Sequence, residues 1–71
     1  SHPTSAAGIE RYLASGAIRG IGPKLAEKIV KIYHERTLDI IDSSADMLLH
    51  IRGIGKHRLR RIRESWVQQK E

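Results

Sequence analysis

The stretch "AIRGIGPK" at residues 17–24 returns as "HIRGIGKH" at residues 50–57, an offset of 33 positions from Gly20 to Gly53. A repeat period in this range marks supersecondary units that cannot bury an apolar face alone and must close against each other. A chain of 71 residues hides only about 60% of its unfolded surface, so the two units must share one core. With no cysteine, neither disulfides nor thiolate-bound zinc can supplement that core. Helix packing has to suffice.

The correspondence runs well past the turn. Ile18 pairs with Ile51, Arg19 with Arg52, Ile21 with Ile54 and Gly22 with Gly55; Ala26 then meets Leu59, Ile29 meets Ile62 and Tyr33 meets Trp66. Ile29, Tyr33, Ile62 and Trp66 are the expected shared core of two units related by a pseudo-twofold axis.

Apolar spacing supplies the helices. Ile9, Tyr12 and Leu13 form one stripe that stops at Gly16, a residue suited to a left-handed helix end. Pro23 stands where a helix tolerates proline best, at its first position. Behind it Leu25, Ala26, Ile29, Val30, Ile32 and Tyr33 make an apolar face opposite Lys24, Glu27, Lys28, Lys31 and Glu35. Thr37 is expected to cap the short piece "LDII". Ser43 with Asp46 reads as a capping-box variant opening a helix through Met47, Leu48 and Leu49. Leu59, Ile62 and Trp66 mark the last helix.

The pattern predicts an all-α fold of five short helices with no strand. Residues 1–7 are expected to be a disordered lead-in or tag remnant. One domain then covers 8–71, with repeats at about 8–35 and 44–69 and a connector at 36–43. Trp66, Tyr33 and, less firmly placed, Tyr12 belong with the core rather than with stacked bases.

Thirteen Lys and Arg against eight Asp and Glu give a net charge of +5, a balance suited to polyanions. The cations are uneven: Arg52, Lys56, Arg58, Arg60, Arg61 and Arg63 crowd the second repeat, whereas Arg19, Lys24, Lys28 and Lys31 are spread along the first. No apolar run approaches the roughly 20 residues of a membrane span, and nothing resembles a signal peptide. The histidines at 2, 34, 50 and 57 have no i, i+4 pairing, which argues against zinc. There is no Walker lysine-serine sequence, and Leu25 stands where a dinucleotide fingerprint needs glycine. No catalytic residue is assigned to this chain.

The turn has its own chemistry. Glycine accepts positive φ and lets another molecule come close to the backbone. A helix start follows directly, with unpaired amides and a dipole that favours an anion. A phosphate satisfies both. The second repeat, flanked by Lys56, His57 and Arg58 where the first has only Lys24, is the stronger expected site. Arg58 replaces the repeat-equivalent Leu25, and its guanidinium is expected within reach of whatever the hairpin holds. Arg60, Arg61 and Arg63 read equally well as the solvated face of the last helix.

The pattern apolar-x-Gly-apolar-Gly, with Ile29 and Ile62 in register behind it, resembles the helix-hairpin-helix motif of DNA repair, replication and recombination proteins. Here it stands twice over residues 8–69, as in tandem helix-hairpin-helix domains. That resemblance implies DNA binding, to duplex, single strand or junction, through phosphates met by backbone amides: those of Gly20, Gly22, Lys24 and Leu25, and of Gly53, Gly55, His57 and Arg58. It also implies a monovalent cation on the carbonyls of Ile18 and Ile21, and of Ile51 and Ile54.

The wider string "RGIGPKLAEKIV…TLDII…LLHIRGIG" is similar to the tandem domain of RecD-like, ATP-dependent DNA helicases, the exodeoxyribonuclease V alpha-subunit family. This implies a cytoplasmic, bacterial parent whose helicase core is a partner of the domain and uses ATP and magnesium. The segment "KIYHERTLDII" departs from that pattern, because it has no glycine where a glycine-containing linker is expected. Two other readings remain open at this point: a protein-interaction module of sterile-alpha-motif type, and the DNA-binding domain of a structure-specific nuclease.

Overall fold

The computed structural model describes residues 2–70. Its order is α1 (Ala6–Ala14), α2 (Pro23–Tyr33), a 3-10 turn (His34–Arg36), α3 (Thr37–Ser43), a second 3-10 segment (Ala45–His50) and α4 (Lys56–Gln69). The fold is all-helical among the described residues, in agreement with the apolar spacing. The expected helix through Met47 and Leu49 is 3-10 rather than α. Only Ala45 and Leu48 are buried there, so a three-residue period suits the segment better than a four-residue one.

Helix α1 begins ahead of the sequence-based boundary at Gly8. Ser5 is its N-cap, and its hydroxyl accepts the Gly8 amide at 3.0 Å, which satisfies one of the orphan donors of the first turn. Residues 5–7 are therefore part of the helix and its cap. The His2 ring lies 5.0 Å from that of Trp66 and 5.6 Å from that of Tyr12. At the other end Gly16 takes φ +90, the left-handed stop its position suggested.

Two pairings organise the chain: α1 lies on α2, and the 45–50 segment lies on α4. Helix α3 bridges them, burying Leu38 and Ile41. The stretch expected as a connector thus builds core. Ile29 and Ile62, equivalent across the repeat, are both fully buried, and Trp66 is 6% exposed. Tyr33 is half-buried, its hydroxyl 3.4 Å from the Met47 carbonyl. Ile32, placed on the apolar face by its spacing, is 53% exposed.

Neither predicted cap around α3 forms. Thr37 lies inside the helix, fully buried, with its hydroxyl donating to the His34 carbonyl at 2.8 Å. The Ser43 hydroxyl donates back to the Asp39 carbonyl at 2.9 Å instead of capping the next segment. Ser and Thr hydroxyls that find a carbonyl three or four residues back are lost to capping.

The missing glycine has a physical counterpart. His34 ends α2 at φ 53, ψ −131, the one described non-glycine residue with positive φ. A side chain there costs on the order of 1 to 3 kcal/mol. His34→Gly is therefore expected to raise unfolding stability by about 1 kcal/mol, measured by urea denaturation.

Asp42 joins α3 to α4. One carboxylate oxygen accepts the Lys70 ammonium and the Trp66 indole N–H, each at 2.8 Å. The Lys70 bond first and the Trp66 bond second hold its carboxyl below the ordinary carboxylate value. A lowered folded-state value means that the contribution is complete above the unfolded value and is lost as pH falls through the folded one. Asp42→Asn should flatten the acid limb of the stability curve followed by Trp66 fluorescence while leaving the shape of the neutral region unchanged.

Candidate nucleic-acid interface

Each glycine turn is a reverse turn between two buried isoleucines. The Ile21 amide reaches the Ile18 carbonyl at 3.3 Å, and the Ile54 amide reaches that of Ile51 at 3.1 Å. Gly20 at φ +94 and Gly53 at φ +101 hold the third position, where a type II turn needs the left-handed region. The four isoleucine side chains are 5% exposed or less, so both turns are nailed to the core.

The turns are seated crosswise. A Cβ on Gly20 would lie 3.0 Å from Cγ1 of Ile62 on α4, and one on Gly53 would lie 3.5 Å from Cδ2 of Leu25 on α2. Each hairpin therefore rests on the helix of the opposite repeat.

The helix starts that follow match closely. Gly22 caps α2 at φ −98, ψ −175, and Gly55 caps α4 at φ −99, ψ −174; neither helix has a side-chain cap or an acidic residue in its first turn. The cap carbonyls accept Ala26 and Leu59 amides at 2.9 Å. Among the described residues, the amides of Gly20, Gly22, Lys24 and Leu25 have no acceptor, and neither do those of Gly53, Gly55, Lys56, His57 and Arg58. Gly22, Lys24, Gly53, Gly55, Lys56 and His57 are exposed; Gly20, Leu25 and Arg58 are half-buried.

Equivalence ends at the side chains. Arg58 reaches across the repeats: its Nη1 donates to the Gly20 carbonyl of the first hairpin at 2.8 Å. The Arg19 amide donates to Ser65 Oγ at 2.9 Å. In the second hairpin the corresponding partners would be Leu25 and Ile32, which offer no polar atom. The first hairpin is thus fixed by two hydrogen bonds from α4, while the second rests on apolar contact and keeps the Arg52 amide unpaired among the described residues.

The remaining cations divide. Arg63 pairs with Asp46 at 3.3 Å, with both side chains largely exposed, an arrangement of little energetic consequence. Arg60 lies beside Lys56 and His57 at the start of α4. Arg61 shares a hollow with Arg19, lined also by Glu64, Ser65 and Gln68. The carbonyls of Ile21 and Ile54 accept no bond among the described residues, and those of Ile18 and Ile51 accept one each. A carbonyl has two lone pairs, and such oxygens suit a monovalent cation.

Ser65 and Lys28 were not singled out from sequence. Ser65 stands three residues beyond Ile62 on the buried side of α4, and a polar residue in an apolar stripe was the signal available. Lys28 becomes notable only once Arg52 and Arg58 are seen opposite it.

Two hairpins, crosswise seated and each opening a bare helix start, define a paired helical-hairpin domain. Residues 10–67 match the family model described as a SAM-like helix-hairpin-helix tandem. The chain belongs to that family. No curated protein and no solved structure matches it significantly. Membership supports a nucleic-acid-binding or SAM-like domain, with DNA as the partner class in general. No helix among the described residues is long and apolar enough to cross a membrane.

The two kinds of glycine separate by experiment. Gly20→Ala meets both positive φ and Ile62, and should cost about 1 to 3 kcal/mol of stability. Gly22→Ala, at an ordinary φ with nothing within 4 Å of its Cβ, should cost less than about 1 kcal/mol, read from thermal unfolding of each variant.

Proposed function

We propose that the chain binds DNA without reading its sequence, the bare amides of both hairpins and the cations around them meeting backbone phosphates. The observation that carries this reading is the pair Gly22 and Gly55. Their backbone angles are open to any residue, and no atom lies within 4 Å of a Cβ built on either. For folding alone Asn, Asp and Ser are the best N-caps, with glycine level with threonine below them. A ligand that comes right up to the backbone favours glycine.

The domain serves as the accessory module of a DNA helicase of recombination and repair, holding the enzyme to its track. Support for this finer role is the resemblance of "RGIGPKLAEKIV…TLDII…LLHIRGIG" to RecD-like helicases. ATP hydrolysis, magnesium and the helicase core belong to the parent. The carbonyls of Ile18, Ile21, Ile51 and Ile54 would hold a monovalent cation, which supplies positive charge beside the phosphate.

With three or four phosphates neutralised, log Kd for a mixed-sequence duplex should change with log salt at a slope of about 3, affinity falling as salt rises. Fluorescence anisotropy with a labelled 12-base-pair duplex measures it. Gly22→Ala combined with Gly55→Ala should weaken binding about tenfold or more with the fold retained. A slope near zero, or full affinity in the double variant, would falsify the phosphate mechanism.

A further inference from the structure

An open groove runs between the repeats. The start of α2, with Lys24 and Lys28, forms one wall; Arg52, Gly53 and Arg58 form the other. Four cations line it and no carboxylate does. None of the four is in an ion pair among the described residues, where Arg63 and Lys70 hold the two ion pairs. Arg58 is immobilised by its bond to the Gly20 carbonyl. Lys24 and Leu25, whose amides lack acceptors, open the helix at the groove's edge.

The pseudo-twofold axis supplies an internal control. The equivalents of Arg52, Arg58, Lys24 and Lys28 are Arg19, Leu25, His57 and Arg61. Arg19 and Arg61 do share a hollow, but Glu64 lines it and the Arg19 amide is already bonded to Ser65. Both have two arginines, but the groove at Lys24 and Lys28 adds two lysines and no carboxylate, whereas the hollow at Arg19 and Arg61 adds Glu64. Like charges gathered without counter-charge repel, and an anion relieves that repulsion.

We propose that this groove holds a phosphodiester of one nucleic-acid strand in a site built from both repeats: the first hairpin gives the helix-start amides, and the second gives the arginines. The inference rests on the DNA-binding reading above and extends it. The first hairpin, which has Lys24 as its own flanking cation, borrows the charge of Arg52 and Arg58. The two hairpins are then coupled, because a residue in the second turn decides how well the first one binds.

The test is amide shift mapping of the 15N-labelled 71-residue chain with a 12-base-pair mixed-sequence duplex at low salt. Arg52→Ala should weaken the response of Gly22, Lys24 and Leu25 about tenfold while the Gly55, Lys56 and His57 amides still move, and the salt slope should drop by about 1. Arg58→Leu, which installs the residue found at the equivalent position, should do the same; Arg58→Lys should restore part of the response.

If Arg58→Leu fails to fold, Arg52→Ala decides alone, since the exposed Arg52 side chain makes no hydrogen bond among the described residues. Loss confined to Gly55–His57 in Arg52→Ala would overturn the shared site, each hairpin then using its own cations. So would an oligoglutamate of equal charge moving Gly22, Lys24 and Leu25 as strongly as DNA. If the unaltered chain shows no movement at either hairpin, the DNA-binding reading itself fails.

Discussion

Each hairpin is held by the helix of the other repeat, and the rest of the structure depends on that exchange. Gly20 lies so close to Ile62 that a methyl group there would crowd it, and Gly53 lies where a methyl group would make ordinary contact with Leu25. Each turn therefore packs on a helix of its neighbour. The isoleucines flanking each turn fill the core that the exchange encloses. The turns that lead into the helix starts are thereby anchored to the core, and such anchoring is the condition for backbone amides to act as a fixed donor array.

Symmetry is then broken by a few substitutions at equivalent positions. Leu25 against Arg58, Ile32 against Ser65 and Lys31 against Glu64 change charge and hydrogen bonding without disturbing the glycine turns, whose dihedrals stay within a few degrees of each other. Ser65 and Arg58 turn one of the two seats into a polar one. The backbone scaffold is duplicated, while the surface chemistry is distributed. Counting cations repeat by repeat misses this, because Arg52 and Arg58 line one groove with the start of α2.

Local features were legible in the sequence and long-range ones were not. Gly16, Gly20, Gly53 and Pro23 take up the conformations their chemistry requires, and Ile29, Ile62 and Trp66 lie in the core as their spacing indicated. Those readings depend on neighbours within one turn of helix. The caps at Thr37 and Ser43 failed because each hydroxyl found a carbonyl on its own N-terminal side, an alternative no spacing rule excludes. The 36–43 stretch became core because α2 ends at His34, whose positive φ breaks the helix, and α3 then buries Thr37, Leu38 and Ile41. Arg58 on Gly20, Ser65 on Arg19 and Trp66 on Asp42 join residues 38, 46 and 24 positions apart, and only the folded chain brings them together.

The starts of α2 and α4 are electrostatically the wrong way round for folding. A helix N-terminus carries partial positive charge, and acidic residues or a side-chain cap normally answer it. Here both positions are glycine, the first turns hold no acid, and Lys24, Lys56 and Arg58 add cations to the positive end. Each such cation costs up to about 1 kcal/mol in a solvent-exposed helix. A domain this small has little stability to spare, so the arrangement is hard to account for by folding requirements. An external anion reconciles every term at once: it accepts the orphan amides, opposes the dipole and neutralises the cations. The proposed phosphate is thus the missing cap of both helices, and binding would stabilise the same turns that the crosswise seating holds in place.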